Sequence, residues 1–536
     1  MNEDSSSAPA TPDSGSPASA GRKSRFSWSV ACLLLAAVAW GCFMVRNARW
    51  DGFWYDESVQ YWISRGVDAY APPLQPTGTL ADVMKHNGIA NLDPGGFSVM
   101  LYYWLKVSRG PEWQRVLPLL IFAVGLAGMG WLGWRWGRSL LFAAFGAMVP
   151  AAFTILMEFA FEVRAYSMEF TGVVCACLLL DLLLEKPRAA RCVVGGLVVG
   201  LFLWSRYSFA LVAAVMGLVF AWCMLRRKGD ASTRLMAVVL LATSMGAVGA
   251  AMIYWGFLPQ YRDRITYNGG ELLRYLEPLQ ATGAAARPLY MSVLRNLFLP
   301  AAWPITIGAL LALAFFPRWM SAERAAAFRE RSAPFYLMAL GTVALTAALW
   351  KWHPWDMGTK WSSYLHALSA VVVVRLAADI LILLKERGGN TSACLRGSQA
   401  TMVALVCILS VQAVRYHRTR GFGILPALQY LDRMTLKPGM VGVETGLYPT
   451  LKYYYEGGPF TGRAYYPDAF RLTRTDDPKP VMSKRTRYLI APHLLPDLKK
   501  VFPGVEFSTE RKLPRLLYRV QPPAPTLPIP GDSRKS

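Results

Sequence analysis

Arg49-Trp50-Asp51-Gly52-Phe53-Trp54-Tyr55-Asp56-Glu57-Ser58 follows directly on an apolar run over residues 28–45, and Arg22, Lys23 and Arg25 precede that run. Basic, apolar, aromatic and then doubly acidic is the order of a first membrane helix that leaves the cytoplasm and meets water on the far side. Two neighbouring carboxylates at such a boundary are costly to desolvate, so they point to a functional site with a cationic or protic partner. The run also has a signal-peptide outline: Ala37-Val38-Ala39 resembles a cleavage site and Cys42 a lipoprotein cysteine. An uncleaved first helix is expected, because many further spans follow.

Composition sets the class. With 54% hydrophobic and only 17% charged residues over 536 positions, and a mean hydropathy of +0.27, the chain is too apolar for a water-soluble globule. The expected fold class is mainly α, a polytopic helical membrane protein. A net charge of +23 does not indicate nucleic acid, since Lys and Arg form short clusters between apolar segments rather than one basic stripe. The eight Cys show no spacing that suggests zinc or a disulfide framework, and they read as small helix-packing residues.

A span needs ~20 apolar residues, and further candidates lie near 115–134, 139–157, 168–184, 192–205, 208–225, 235–256, 296–316, 334–350, 364–384 and 399–414. With the first helix this makes about 11. Basic clusters such as Arg135/Arg138, Lys186/Arg188/Arg191, Arg226/Arg227/Lys228 and Lys385/Arg387 recur at every second connection, which marks those connections as cytoplasmic. The connections 46–114, 158–167, 206–207, 257–295 and 351–363 then face the other side. The segment 97–107 is apolar but about half a span long, so it is expected to be re-entrant or interfacial. The loops have a bacterial character and no organelle signal is evident, so the expected location is a bacterial inner membrane with the outer connections in the periplasm.

Four regions follow. Residues 1–27 form a Ser/Pro/Ala-rich tail expected to be disordered, and 28–414 form the membrane domain. Residues 415–521 form a small outer α/β domain, with a helix over 424–434, a strand over 439–444, a helix over 448–456 and a strand over 487–491. A Pro-rich tail over 522–536 closes the chain.

The outer connections hold the chemistry: Asp56 and Glu57, then Asn91-Leu92-Asp93-Pro94-Gly95-Gly96, then Arg115, then Glu158-Phe159-Ala160-Phe161-Glu162-Val163-Arg164-Ala165-Tyr166, and later Lys360. Brought together, a carboxylate can deprotonate a hydroxyl while Arg and Lys neutralise a phosphate leaving group. That combination fits sugar transfer from a lipid phosphate. No Gly-rich phosphate loop is present for a nucleotide donor, and neither His86 nor His353 has a second His close in sequence with which to form a metal site.

The order of these residues resembles the GT-C membrane glycosyltransferases. The likeness is to the branch of protein O-mannosyltransferases, aminoarabinose transferases and lipopolysaccharide-core galacturonosyltransferases. Its specific matches lie within roughly the first 170 residues: Asp56-Glu57, the Pro94 turn into an apolar Tyr/Trp-rich segment, Arg115, and the Glu162-x-Arg164-x-Tyr166 motif. The resemblance implies transfer from a polyprenyl-phosphate sugar to a glycan, lipid or protein hydroxyl, with inversion and without a cofactor. Asp56 would be the general base for the acceptor hydroxyl or a direct contact to it, with Glu57 its support; Arg115, Arg164 and Lys360 would meet the donor phosphate with Tyr166 beside it, and Glu162 and Asp93 would bind substrate, the role of Asp93 staying open. Lys360 stands where the family often has Arg, which loses the planar fork, and Asp93-Pro94-Gly95 stands where it often has His-Pro-Pro.

Plainer readings compete with each assignment. Asp56 and Glu57 suit a helix N-terminus, Arg164 can pair with Glu158 or Glu162 or snorkel, and Arg115 can simply mark the start of a span. Two other functions also fit the class. One is a transporter or flippase of a lipid-linked glycan, although no paired repeats are evident. The other is a non-catalytic membrane assembly protein that binds through its outer domain.

Overall fold

The computed structural model describes residues 20–259, 303–352, 363–386, 397–411 and 424–521, apart from short gaps within these ranges and the addition of residue 262. Helix α1 spans Ala20–Ala48 and is followed by the short helices α2 (Tyr55–Ser64), α3 (Leu80–Ala90) and α4 (Gly96–Trp104). Then come α5 (Pro111–Gly137), α6 (Leu140–Met148), α7 (Thr154–Phe159), α8 (Tyr166–Glu185), α9 (Ala189–Phe202), α10 (Phe209–Arg226) and α11 (Ala231–Met252). The second half holds α12 (Trp303–Trp319), α13 (Ala322–Arg331), α14 (Ala333–Trp352), α15 (Ser363–Glu386), α16 (Leu425–Leu431) and α17 (Tyr448–Glu456).

Among the described residues six helices are long and apolar enough to cross a membrane: Trp28–Ala48, Pro111–Gly137, Tyr166–Glu185, Phe209–Arg226, Ala231–Phe257 and Ser363–Glu386. Five shorter apolar helices accompany them, at Leu140–Ala152, Ala189–Phe202, Ile305–Trp319, Ala333–Ala348 and Ala400–Leu409. Helix α4, by contrast, has nine residues, about 14 Å at 1.5 Å per residue, and is too short to cross. Close backbone approach holds the bundle where small residues allow it. Gly146 of α6 sits so near α5 that a Cβ there would lie 2.5 Å from the Met129 carbonyl oxygen, the small-residue contact expected between membrane helices.

Five strands form one mixed sheet in the order β2-β1-β3-β5-β4: β1 Val441–Glu444, β2 Phe470–Thr473, β3 Tyr488–Ile490, β4 Glu506–Ser508 and β5 Leu517–Gln521. Strand β1 runs parallel to β2 and β3, pairing Val441 with Phe470 and with Tyr488, while β5 runs antiparallel to β3 and β4. Strand β1 and helix α17 lie where the hydrophobic pattern places them. Strands β2, β4 and β5 escape that pattern because their pairing partners rather than their own short sequences define them.

The apolar core has two main bodies. One fills the helix bundle. The other joins the first outer connection to the C-terminal segment: Phe53, Tyr61 and Trp62 are buried with Leu428, Val441, Tyr453 and Tyr454. Phe53 stacks on Tyr453 at 4.2 Å between ring centroids, its amide donates to the Tyr454 hydroxyl at 2.9 Å, and the Trp62 indole donates to the Pro449 carbonyl at 2.9 Å. The sheet layer is thereby fastened to α2, which carries the acidic pair. Residues 1–19, most of 257–295, Lys360 and the tail over 522–536 lie outside the described residues.

Candidate functional site

The two adjacent acids diverge as soon as α2 begins. Both lie in its first turn, where the positive end of the helix favours carboxylates, but only Glu57 turns inward. It has no exposed surface and meets Arg115 of α5 through two parallel hydrogen bonds, at 2.8 and 3.2 Å. Its carboxylate also accepts the backbone amides of Val163, at 3.0 Å, and Trp54, at 3.3 Å. Arg115 further donates to the carbonyls of Phe161, at 3.0 Å, and Gly52, at 2.6 Å, and lies 4.6 Å from the Phe53 ring centroid. A buried fork–fork pair with every oxygen engaged ties three connections together at the outer ends of α1, α5 and α7. Arg115 and Glu57 are thereby committed to each other.

Asp56 keeps its side half-open to solvent and exerts its pull on Arg164 instead. Burial alone would lower the Arg164 pKa, yet Tyr166, Asp93 and Asp56 around it outweigh that and, against Arg206, hold the pKa above the usual arginine value. The nearest Arg164–Asp93 approach is 3.8 Å, an ion pair longer than a hydrogen bond. The buried Arg164 Nε makes no hydrogen bond among the described residues.

Asp93 reaches this site by a turn that needs two glycines. Gly95 caps α4 with φ near 100°, a left-handed conformation that glycine adopts at little cost. Gly96 approaches the connection between α9 and α10 so closely that a Cβ would lie 2.5 Å from the Trp204 carbonyl oxygen, and its amide donates to that same oxygen at 3.0 Å. The turn is braced from behind, where the Asn87 amide donates to the Asp93 carbonyl at 2.8 Å. This docking puts the Asp93 carboxylate 3.2 Å from Arg206 Nε.

Arg206 and Glu169 are the residues that the sequence reading passed over. Arg206 lies 3.6 Å from the Glu169 carboxylate, 3.4 Å from the Ser363 hydroxyl and 4.5 Å from the Tyr166 ring centroid, while Glu169 also accepts from Ser208 and Ser363. The signal for Arg206 was a lone cation in a two-residue outer connection. Glu169 gave one as an acid in the first turn of a span. Around this pair the N-termini of α8, α10 and α15 converge, which gathers three positive helix poles at one place.

The remaining predicted residues divide. Tyr166 is buried and stacked on Phe159 at 4.0 Å, beside Arg206. Glu162 is fully buried, and its carbonyl accepts the Arg164 amide at 2.7 Å. Lys360 and His353 lie outside the described residues. Among the described residues no three His, Cys, Asp or Glu side chains form a metal-sized group.

The structure therefore brings Asp56, Asp93, Arg164 and Tyr166 together with Arg206 and Glu169, and seats Arg115 with Glu57 beside them as a brace. A half-buried carboxylate, a charged guanidinium whose buried Nε makes no hydrogen bond among the described residues, and a set of helix N-termini can bind an anion and accept a proton next to it. Comparison with known proteins adds no family: no family model matches the chain, and no curated protein matches it.

Proposed function

We propose that this protein is an integral membrane glycosyltransferase that moves a sugar from a polyprenyl-phosphate carrier to an acceptor hydroxyl, with inversion. The observation that carries the proposal is the Arg164 guanidinium, whose buried Nε makes no hydrogen bond among the described residues, within electrostatic reach of the half-exposed Asp56 carboxylate. Asp56 accepts the acceptor's hydroxyl proton as that oxygen bonds to the anomeric carbon. The bond from the anomeric carbon to the phosphate oxygen breaks on the opposite face, and the phosphate leaves with the electron pair. Arg164 and the N-terminus of α8 receive its charge. Because phosphate is a good leaving group, one base and one cationic contact suffice, unlike the two carboxyl groups of most glycosidases.

The other residues prepare this geometry. Asp93 and Glu169 hold Arg206, which leaves Arg164 as the cation with a donor to spare. Glu57 and Arg115 hold the start of α2 and thus the position of Asp56. Six helices apolar and long enough to cross a membrane, together with an α/β layer, are compatible with the GT-C resemblance, which implies about eleven spans and a non-cytoplasmic site; a bacterial inner membrane is the location that fits. The test is transfer from a panel of radiolabelled polyprenyl-phosphate sugars by the purified protein and by its Asp56→Asn variant. Transfer by the first and not the second is expected. No transfer from any donor would sink the reading.

A further inference from the structure

At the opposite end of α8, about 30 Å from Tyr166 by helix rise, the same helices enclose a second polar site. A cavity of about 290 Å³ opens between the C-terminal ends of α5, α8, α13 and α15. The cations of its inner wall are paired: Arg375 forks onto Asp379 at 2.7 and 3.2 Å and lies 5.0 Å from the Trp136 ring centroid. Arg135 likewise pairs with Asp181 and, at 3.0 Å, with Glu185. The rim is not neutralised. Arg138, Arg331 and Lys385 line the same cavity and are exposed, and among the described residues none has an ion pair or a side-chain hydrogen bond.

We propose that this cavity binds the phosphate headgroup of an anionic membrane lipid. Three unpaired cations around a concavity whose floor sets Arg135 and Arg375 against Asp181, Glu185 and Asp379 leave a positive surplus that attracts an anion, and two guanidiniums among them suit phosphate oxygens. The volume falls just short of the roughly 300 Å³ at which whole-ligand pockets begin, so it accommodates a headgroup and not the acyl chains. Those chains have a place alongside, because Trp134 and Leu384, the neighbours of Arg135 and Lys385, expose apolar side chains on α5 and α15. Basic pockets between spans at this depth suit anionic headgroups. The competing reading is that the rim cations only complement the negative helix C-termini and mark the cytoplasmic side.

The two readings part in native mass spectrometry of the full-length protein, delipidated in detergent and given phosphatidylglycerol or phosphatidylcholine of equal chain length. The proposal expects wild type to retain the anionic lipid over the zwitterionic one by a factor on the order of ten. The Arg138→Gln/Arg331→Gln/Lys385→Gln variant is expected to lose that preference with an unchanged melting temperature. Equal retention of both lipids by wild type, or a preference unchanged in the variant, overturns it. So does inorganic phosphate binding alone that displaces the lipid completely, since the ligand would then be a soluble phosphate. If the triple variant does not fold, Arg138→Gln and Lys385→Gln are measured singly, and each is expected to lower the preference.

Discussion

The Arg115 guanidinium and the Glu57 carboxylate, neither with any exposed surface, face each other 2.8 Å apart where α2 and α5 begin. Their pairing decides the roles of the residues around them. With Glu57 buried and accepting from Arg115, Val163 and Trp54, the acid of the pair that keeps contact with solvent is its neighbour Asp56. With Arg115 held by Glu57, Phe161 and Gly52, the cation available is Arg164.

The buried pair is expected to act through stability. Arg115→Met leaves a carboxylate without its counter-charge, a change that costs about 3–5 kcal/mol. Glu57→Met/Arg115→Met removes both charges and should recover a large part of that loss. Thermal unfolding of the three proteins in one detergent checks this, and an Arg115→Met variant as stable as wild type contradicts it.

Asp56→Asn should leave the melting temperature unchanged, because the side chain is half-exposed, while slowing transfer by roughly 10²–10⁴-fold, the usual worth of a general base. The loss is expected in kcat with little change in the donor KM. An unaltered kcat in the variant would place the base elsewhere.

Arg164→Gln should lower kcat/KM for the lipid-phosphate donor by roughly 10–100-fold, the worth of a charged hydrogen bond of about 1.5–3 kcal/mol. Arg164→Lys keeps the charge and should retain part of the activity, though not the geometry of the fork. Initial rates over a range of donor concentrations separate the two variants. Equal rates for wild type and Arg164→Gln exclude the contact.

Gly96→Ala places a methyl group 2.5 Å from the Trp204 carbonyl oxygen, and the turn has to move. Destabilisation of about 1–3 kcal/mol is expected from such overpacking, together with reduced transfer as Asp93 withdraws from Arg206. Unfolding and activity are measured on the same preparation; a variant with both at wild-type level shows that the turn has room to spare.

Lys452 supplies a pH dependence. It is buried, donates to the Ala71 carbonyl at 3.1 Å and lies 4.2 Å from the Trp62 ring centroid. Burial pushes its pKa down from 10.5 to about 8, against the pull of Glu456. Between those two values the unfolded chain binds the proton that the folded chain has released, so this group makes stability rise with pH there. Below pH 8 both states carry the proton and the cost of burying the charge is felt in full. Wild type should therefore gain a few degrees in Tm relative to Lys452→Met as pH rises from about 8 to about 10. A constant gap across that range rules the shift out.

Parts of this arrangement were legible in the chain because they are local. The long apolar helices follow from run length alone, and α17 and β1 from hydrophobic period and turn residues. Asp56 and Glu57 stood out because acids are rare where a membrane helix ends. Strands β2, β4 and β5 were not legible, since their partners rather than their own patterns define them. The C-terminal segment, which reads as a separate unit, shares its core with the first outer connection because Tyr453 and Tyr454 pack on Phe53 and Tyr61.

The sequence by itself determined that this is a helical chain with runs apolar and long enough to cross a membrane, and with acidic and basic side chains gathered in alternate connections, because hydropathy and charge are properties of short windows. Only the tertiary structure decided which charge meets which. Glu57 finds Arg115 across 58 residues and Asp93 finds Arg206 across 113. Such pairs depend on helix packing and on close backbone approach at Gly96. Two neighbouring carboxylates with the same local surroundings were thus separated into a buried brace and an accessible acid by a difference of one position on a helix, about 100° of rotation.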